Sequence, residues 1–102
     1  MNTKQIAKVM KALSNPNRLE LYLEILRKCE ASFKAEDREC LVSDVMCSFK
    51  IGAPTISHHL KELTNAGLIT TERKGKFLVA RIIEDTIDEV KDVLSAAKKR
   101  KK

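Results

Sequence analysis

The stretch Pro54-Thr-Ile-Ser-His-His-Leu-Lys-Glu-Leu-Thr-Asn-Ala-Gly-Leu-Ile69 determines how this chain is interpreted. Three of its apolar residues repeat at the spacing of one helix face and are expected to point into a core: Ile56, Leu60 and Leu63. Proline is favoured in the first turn of a helix, and Gly67 lies where a glycine commonly follows a helix end. The pattern therefore predicts a helix over residues 54–66.

The opposite face of this helix carries hydrogen-bond donors. With the apolar stripe inward, five side chains point largely outward: Thr55, Ser57, His58, Lys61 and Glu62. All but Glu62 can donate to phosphates or base edges, and the positive end of the helix dipole lies behind them. The composition of this face indicates a helix that lies in a groove of a nucleic acid. The alternative is an ordinary face exposed to water. His59, nearer the stripe, is predicted to be a partly buried, hydrogen-bonded packing residue and not a metal ligand.

Three further helices are predicted upstream. The first is capped by Asn2 or Thr3 and has the apolar stripe Ile6, Val9, Met10 and Leu13. Asn15 and Pro16 cap and open the second, which is predicted to be central because apolar residues cover more than half of its circumference: Leu19, Leu21, Tyr22, Leu23, Ile25 and Leu26. A polar surface loop is predicted over residues 30–39. Ser43 is then predicted to cap a short third helix that ends before Gly52.

Downstream, the period of the pattern changes. Residues 68–74 and 77–82 are rich in Thr, Ile, Val and Phe and are predicted to form a β-hairpin with a cationic tip. A fifth helix follows, with Thr86 and Glu89 placed as a capping box. The order predicts a mainly α fold with about five helices plus a two-stranded wing. This is a winged helix-turn-helix, in which the second helix of the motif enters the major groove.

Length and composition predict one domain over residues 1–97, followed by a disordered basic tail over 98–102. The 102 residues contain no run of about 18 uncharged apolar residues, so neither a membrane span nor a secretory peptide is expected, and the protein is predicted to be cytoplasmic. The formal net charge is +6, but five cations lie in the tail, which leaves 15 cations against 14 acidic residues. Net charge alone therefore does not identify a partner. An enzyme is not expected, because no nucleophile–base constellation or glycine-rich phosphate loop is readable.

Two stretches resemble the ArsR/SmtB family of bacterial metal- and stress-responsive repressors. They are Lys11-Ala-Leu-Ser-Asn-Pro-Asn-Arg-Leu19 and the stretch from Pro54 to Ile69. The resemblance implies a homodimer paired through the first and last helices, bound to double-stranded operator DNA with inverted-repeat symmetry and released by an inducer. The interface residues are predicted from apolar surface that a monomer of this size should not be able to cover: Ile6, Met10, Ile87, Val90 and Leu94.

Seven residues are predicted to contact the DNA. Thr55, Ser57 and His58 are expected to read base edges, whereas four cations are expected to contact phosphates: Lys61, Arg73, Lys74 and Lys76. Two alternatives remain: a winged-helix protein-interaction module without DNA binding, and an RNA-associated basic protein. The four aromatic residues are assigned mainly to core positions, which disfavours the RNA alternative because they cannot form a stacking platform.

The inducer is not identified by the sequence. Family members that bind zinc between their last helices use His and carboxylates there, but residues 84–102 contain no His, so no zinc site is expected on the last helix. Members that sense arsenite, cadmium or lead resemble one another in a Glu-Leu-Cys-Val-Cys-Asp-Leu stretch. Here Leu41 and Ser43 occupy its cysteine positions.

Three cysteines remain as candidate sensors: Cys29, Cys40 and Cys47. Cys29 and Cys40 flank the predicted loop, which can bring its ends together, so their thiolates are the candidate pair for a soft metal, metalloid or oxidant. Cys47 is a candidate third ligand, but it lies beside Met46 and is also interpreted as a small packing residue. The alternatives are that all three cysteines are buried or incidental, or that another kind of ligand is sensed.

Overall fold

The computed structural model of the chain describes residues 2–30 and 39–100. Its elements are α1 (Thr3–Leu13), α2 (Pro16–Glu30), β1 (Glu39–Leu41), α3 (Val42–Met46), α4 (Ala53–Asn65), β2 (Ile69–Lys74), β3 (Phe77–Ile82) and α5 (Glu84–Arg100). This order confirms the mainly α fold with a wing. Residues 98–100 belong to α5, whereas 101–102 and most of the predicted loop, 31–38, lie outside the described residues.

Both predicted caps at the amino end of the chain are confirmed. Asn2 forms a capping box with Gln5, in which each backbone N–H donates to the other side chain, at 2.9 and 3.0 Å. Asn15 Oδ1 accepts a hydrogen bond from the Arg18 backbone N–H at 3.1 Å, ahead of Pro16 at the start of α2. These short polar side chains therefore fix where the first two helices begin.

Two other predicted caps are wrong. Ser43 lies inside α3, which has Leu41 as its N-cap with no side-chain hydrogen bond, because the preceding residues are extended to pair with β3. Thr86 lies inside α5, and its hydroxyl donates to the carbonyl oxygen of Gly67 at 2.6 Å. Thr86 thus ties the last helix to the turn after α4, where Gly67 has the positive φ of 78° that favours glycine.

The sheet has three antiparallel strands in the order β1-β3-β2. Strands β2 and β3 are the predicted hairpin, and β1 is a short additional edge strand that the sequence did not predict. Cys40 of β1 and Thr71 of β2 lie opposite Ala80 of β3 on its two sides. The hairpin turns at Gly75, where φ is 63°. Strand β1 leads directly into α3, so the sheet and the helical part of the fold are joined there.

Helix α2 occupies the centre of the core, as predicted, and packs against α1, α3, α4, β1 and β3. Its residues Leu21 and Ile25 are almost completely buried. Leu19 and Leu23, which were also expected to be buried, are 36% and 52% exposed. They lie two positions from the buried pair, which is about half a turn, and therefore face away from the core. None of the described helices has the length and hydropathy needed to cross a membrane.

Candidate nucleic-acid interface

Helix α4 presents two chemically different faces. Its apolar stripe is inward as predicted, with Ile56, Leu60 and Leu63 at most 7% exposed. Four of the predicted DNA-contacting side chains are exposed on the other side: Thr55, Ser57, His58 and Lys61. Because Ala53 and Pro54 form the first turn, the first three of these lie in the amino-terminal half, where the helix dipole is positive.

A partly buried hydrogen bond holds α4 against the start of α2. Arg18 donates from Nε to Nδ1 of His59 at 3.3 Å and from Nη1 to the carbonyl oxygen of Ala12 at 3.1 Å. Burial, together with the Arg18 charge, lowers the pKa of His59, so its ring is neutral and Nδ1 accepts. His59 is only 5% exposed, which confirms the predicted packing role and makes it more buried than expected.

The wing carries its predicted cations at the surface. Arg73, Lys74 and Lys76 are exposed, and the Lys76 ammonium lies 5.7 Å from the ring centroid of Phe77. Between the wing and α4 runs an open groove of about 280 Å³, lined on the helix side by Ser57 and Lys61 among others. The helix face and the hairpin thus border one common groove.

Glu39 joins the edge strand to the wing. Its Oε2 accepts from Nε of Arg81 at 2.7 Å, and its Oε1 accepts from Nζ of Lys74 at 3.1 Å. The Arg81 hydrogen bond, followed by that of Lys74, holds the pKa of Glu39 below its ordinary value. Sequence reasoning missed Glu39, because a three-residue strand has no readable period and Lys74 lies 35 residues away.

Two of the three cysteines are brought together. Cys29 and Cys40 are 2% and 9% exposed, and the Cys29 thiol donates to the carbonyl oxygen of Ala80 at 3.7 Å, directly opposite Cys40 in the β1–β3 register. The neighbouring Cys40 thiol lowers the pKa of Cys29, and the Cys29 thiol, together with burial, raises the pKa of Cys40. The predicted loop ends therefore do approach each other.

Cys47 does not have the predicted packing position. It is exposed, because α3 stops at Met46 and Cys47 is the residue that caps its end. Across residues 2–30 and 39–100, no group of three or more His, Cys, Asp or Glu side chains is placed to hold a metal ion. Cys47 is consequently not arranged as a third ligand beside the other two thiols.

The faces of α1 and α5 carry exposed apolar side chains. Leu94 is 65% exposed, Val93 47% and Met10 37%, whereas Ile6, Ile87 and Val90 are partly buried. An open apolar groove of about 260 Å³ lies between α1, α2 and α5, with Leu13 and Leu94 among its lining residues. This face has the composition of an interface core.

Comparison with known proteins places these features in a family. A sequence model of the arsR family of bacterial regulatory proteins matches residues 35–71 of this chain. The chain is 30% identical over 90 residues to an arsenical resistance operon repressor of Staphylococcus xylosus, covering 88% of this chain and 77% of that protein.

Two solved structures share the fold. An ArsR-like transcriptional regulator from Rhodococcus sp. RHA1 has a TM-score of 0.74 at 20% identity, covering 95% of this chain and 82% of that one. A Mycobacterium bovis domain described as a homodimeric winged helix-turn-helix DNA-binding domain has a TM-score of 0.66 at 25% identity, covering 97% and 83%. The combined sequence and fold similarity shows that the chain belongs to the ArsR family of bacterial regulatory proteins.

Proposed function

We propose that this chain is a cytoplasmic, dimeric transcriptional repressor that binds a specific DNA operator and leaves it when a small inducer acts. The observation that carries the proposal is the groove shared by α4 and the wing, with hydrogen-bond donors on the helix and cations on the hairpin. Membership of a family of regulatory proteins supports it, as does the repressor name of the Staphylococcus xylosus relative.

The hydrogen-bond donors on α4 recognise the base sequence of the DNA. Thr55, Ser57 and His58 lie on the exposed side of its amino-terminal half, from which a helix lying in the major groove contacts base edges. Four cations bind phosphates and fix the register of the protein on the duplex: Lys61, Arg73, Lys74 and Lys76. Lys74 contributes less charge than the others, since Glu39 lies 3.1 Å from its ammonium group.

Dimerisation covers the apolar faces of α1 and α5. Ile6, Met10, Ile87, Val90 and Leu94 supply the interface, and a two-fold axis there presents two copies of α4 to two half-sites. The description of the Mycobacterium bovis neighbour as homodimeric supports this assembly. An exposed leucine such as Leu94, at 65%, is better explained by a partner than by solvent.

The inducer acts on thiols in this proposal. The Staphylococcus xylosus relative is an arsenical resistance operon repressor, and soft metalloids bind thiolate ligands. In this chain Leu41 and Ser43 stand at the cysteine positions of the resembling metalloid sensors, whereas the buried Cys29 and Cys40 both lie against Ala80 of β3. A soft metal, a metalloid and an oxidant are the three classes of inducer that a pair of thiols can accept.

Selection from a random-sequence duplex library tests the proposed function. The full chain, in reductant, is expected to enrich duplexes that share an inverted repeat and to bind them at least about a thousandfold more tightly than a mixed-sequence duplex of equal length at physiological salt. Failure to retain any duplex at about 50 mM salt, where phosphate contacts are strongest, would contradict it and favour a protein-interaction module. Preferential retention of RNA would favour the RNA-associated alternative.

A further inference from the structure

Cys29 and Cys40 lie where three elements meet. Cys29 is in the last turn of α2, Cys40 is the middle residue of β1, and the Cys29 thiol donates to Ala80 of β3 at 3.7 Å. Cys40 and Ala80 are direct partners across the antiparallel ladder. Because opposite residues on one face of such a ladder lie side by side, both sulfurs are held against the same small patch of β3.

Strand β1 connects this pair to both parts of the DNA interface. The residue before Cys40 is Glu39, which pairs with Lys74 of the wing and with Arg81 of β3. The residue after it, Leu41, is the N-cap of α3, the first helix of the helix-turn-helix. A displacement of Cys40 along or away from the sheet is therefore transmitted to a wing cation and to the helix preceding α4.

We propose that Cys29 and Cys40 form a redox-modification site, at which a hydroperoxide joins the two thiols in a disulfide and thereby lowers the affinity of the protein for DNA. The effect on DNA rests on the proposed function, whereas formation of the disulfide does not. The bond would tie the end of α2 covalently to the edge strand.

The surroundings favour an oxidant over a metal ion. In the described part of the chain no third His, Cys, Asp or Glu side chain is placed to complete a metal site with these two. Two thiolates are also fewer protein ligands than a zinc site uses, whereas a disulfide needs no further ligand. The exposed Cys47 does not take part.

The reaction balances with one molecule of hydroperoxide. The Cys29 thiolate attacks one peroxide oxygen, the O–O bond breaks, and the product hydroxide takes up the proton that Cys29 released, giving water and a Cys29 sulfenic acid. The Cys40 sulfur then attacks the Cys29 sulfur, the S–S bond forms and the S–OH bond breaks. The departing hydroxide leaves as water with the Cys40 proton. Two thiols have lost two electrons and two protons, and hydrogen peroxide has become two waters.

The influence of each thiol on the other fits this division of roles. It lowers the pKa of Cys29, which makes Cys29 the first nucleophile, and it raises the pKa of Cys40, which keeps Cys40 as the proton donor until the second step. Access for peroxide comes from local opening of β1, a three-residue strand at the edge of the sheet. Oxidation at this site should therefore be slower than modification of the exposed Cys47.

The first experiment measures the bond itself. Reduced full-length Cys47→Ser protein is treated with hydrogen peroxide, unfolded in denaturant, alkylated with iodoacetamide and mapped by mass spectrometry. The expected result is loss of both alkylatable thiols, a peptide pair joined through Cys29 and Cys40, and full recovery with dithiothreitol. Cys29→Ala and Cys40→Ala proteins, checked for folding by thermal unfolding, should give no such pair. Peroxide treatment that leaves both thiols alkylatable, or oxidises them singly, would overturn the site.

The second experiment measures DNA affinity with a fluorescent 30-base-pair mixed-sequence duplex at low salt. Oxidised Cys47→Ser protein is expected to bind about 5- to 150-fold more weakly than the reduced protein, the usual range for coupled sites. Peroxide should leave DNA binding unchanged when the same Cys47→Ser protein also carries Cys29→Ala. A disulfide that forms with no change in affinity would overturn the coupling to the wing. A disulfide that forms in a protein binding no duplex in either state would support the modification site and contradict the DNA function.

Discussion

Arg18 and His59 are joined by a hydrogen bond of 3.3 Å from Nε to Nδ1, which fixes α4 against the junction of α1 and α2. The bond requires a neutral imidazole, because a protonated Nδ1 could not accept. The orientation of the outward face of α4 therefore depends on a buried residue that carries no charge.

Stability should fall in mild acid because of His59. Its folded pKa is lowered below the unfolded value of 6.5, so the unfolded state binds more protons and the free energy of unfolding decreases as the pH drops below about 6.5. One such group contributes a slope of at most about 1.4 kcal/mol per pH unit. Urea unfolding at pH 7.5 and 5.5 checks this. His59→Gln should lose the slope that the exposed-site control His58→Gln retains; an equal pH dependence in both variants would contradict the assignment.

The salt dependence of DNA binding should separate the two wing lysines. Lys76→Ala should weaken binding to operator and mixed-sequence duplexes alike and reduce the slope of log affinity against log salt by about one for each wing that contacts a phosphate. Lys74→Ala should reduce it less, since Glu39 already neutralises part of the Lys74 charge. Fluorescence anisotropy over a salt series measures both slopes. A larger reduction for Lys74→Ala than for Lys76→Ala would count against the role of Glu39.

Leu94→Lys should produce monomers. Leu94 lines the apolar groove between α1 and α5, and burial of an unpaired ammonium in a dimer interface there is strongly unfavourable. Sedimentation velocity at micromolar concentration is expected to show a dimer for the parent and a monomer for Leu94→Lys, which should also bind operator much more weakly. Leu23→Lys, at a leucine 52% exposed on α2, is the matched control and should remain dimeric. A monomeric parent would remove the proposed interface.

The helices, the wing and the orientation of α4 could be predicted because each is fixed by local patterns. The period of Ile56, Leu60 and Leu63 sets which side of α4 is buried, and Asn15 followed by Pro16 sets the start of α2. Both signals lie within a few residues of the feature they determine. These features therefore do not depend on pairing with distant parts of the chain.

Features that depend on distant pairing could not be predicted. Strand β1 is extended because Cys40 pairs with Ala80, 40 positions later, and the cap of α3 moves to Leu41 as a result. The contact of Glu39 with Lys74 follows from the same pairing. The predicted capping role of Thr86 is wrong for a similar reason. Its hydroxyl donates a hydrogen bond to the carbonyl oxygen of Gly67 and does not cap the start of α5.

The most direct test of base reading by α4 compares Ser57→Ala and His58→Ala on two DNAs, the duplex selected by the parent protein and a mixed-sequence duplex of the same length. Both side chains are exposed on α4, so the variants should unfold close to the parent temperature. If they read base edges, each substitution should cost about 1–3 kcal/mol on the selected duplex and almost nothing on the mixed one. Equal losses on the two DNAs, or none on either, would contradict the claim that α4 reads the operator.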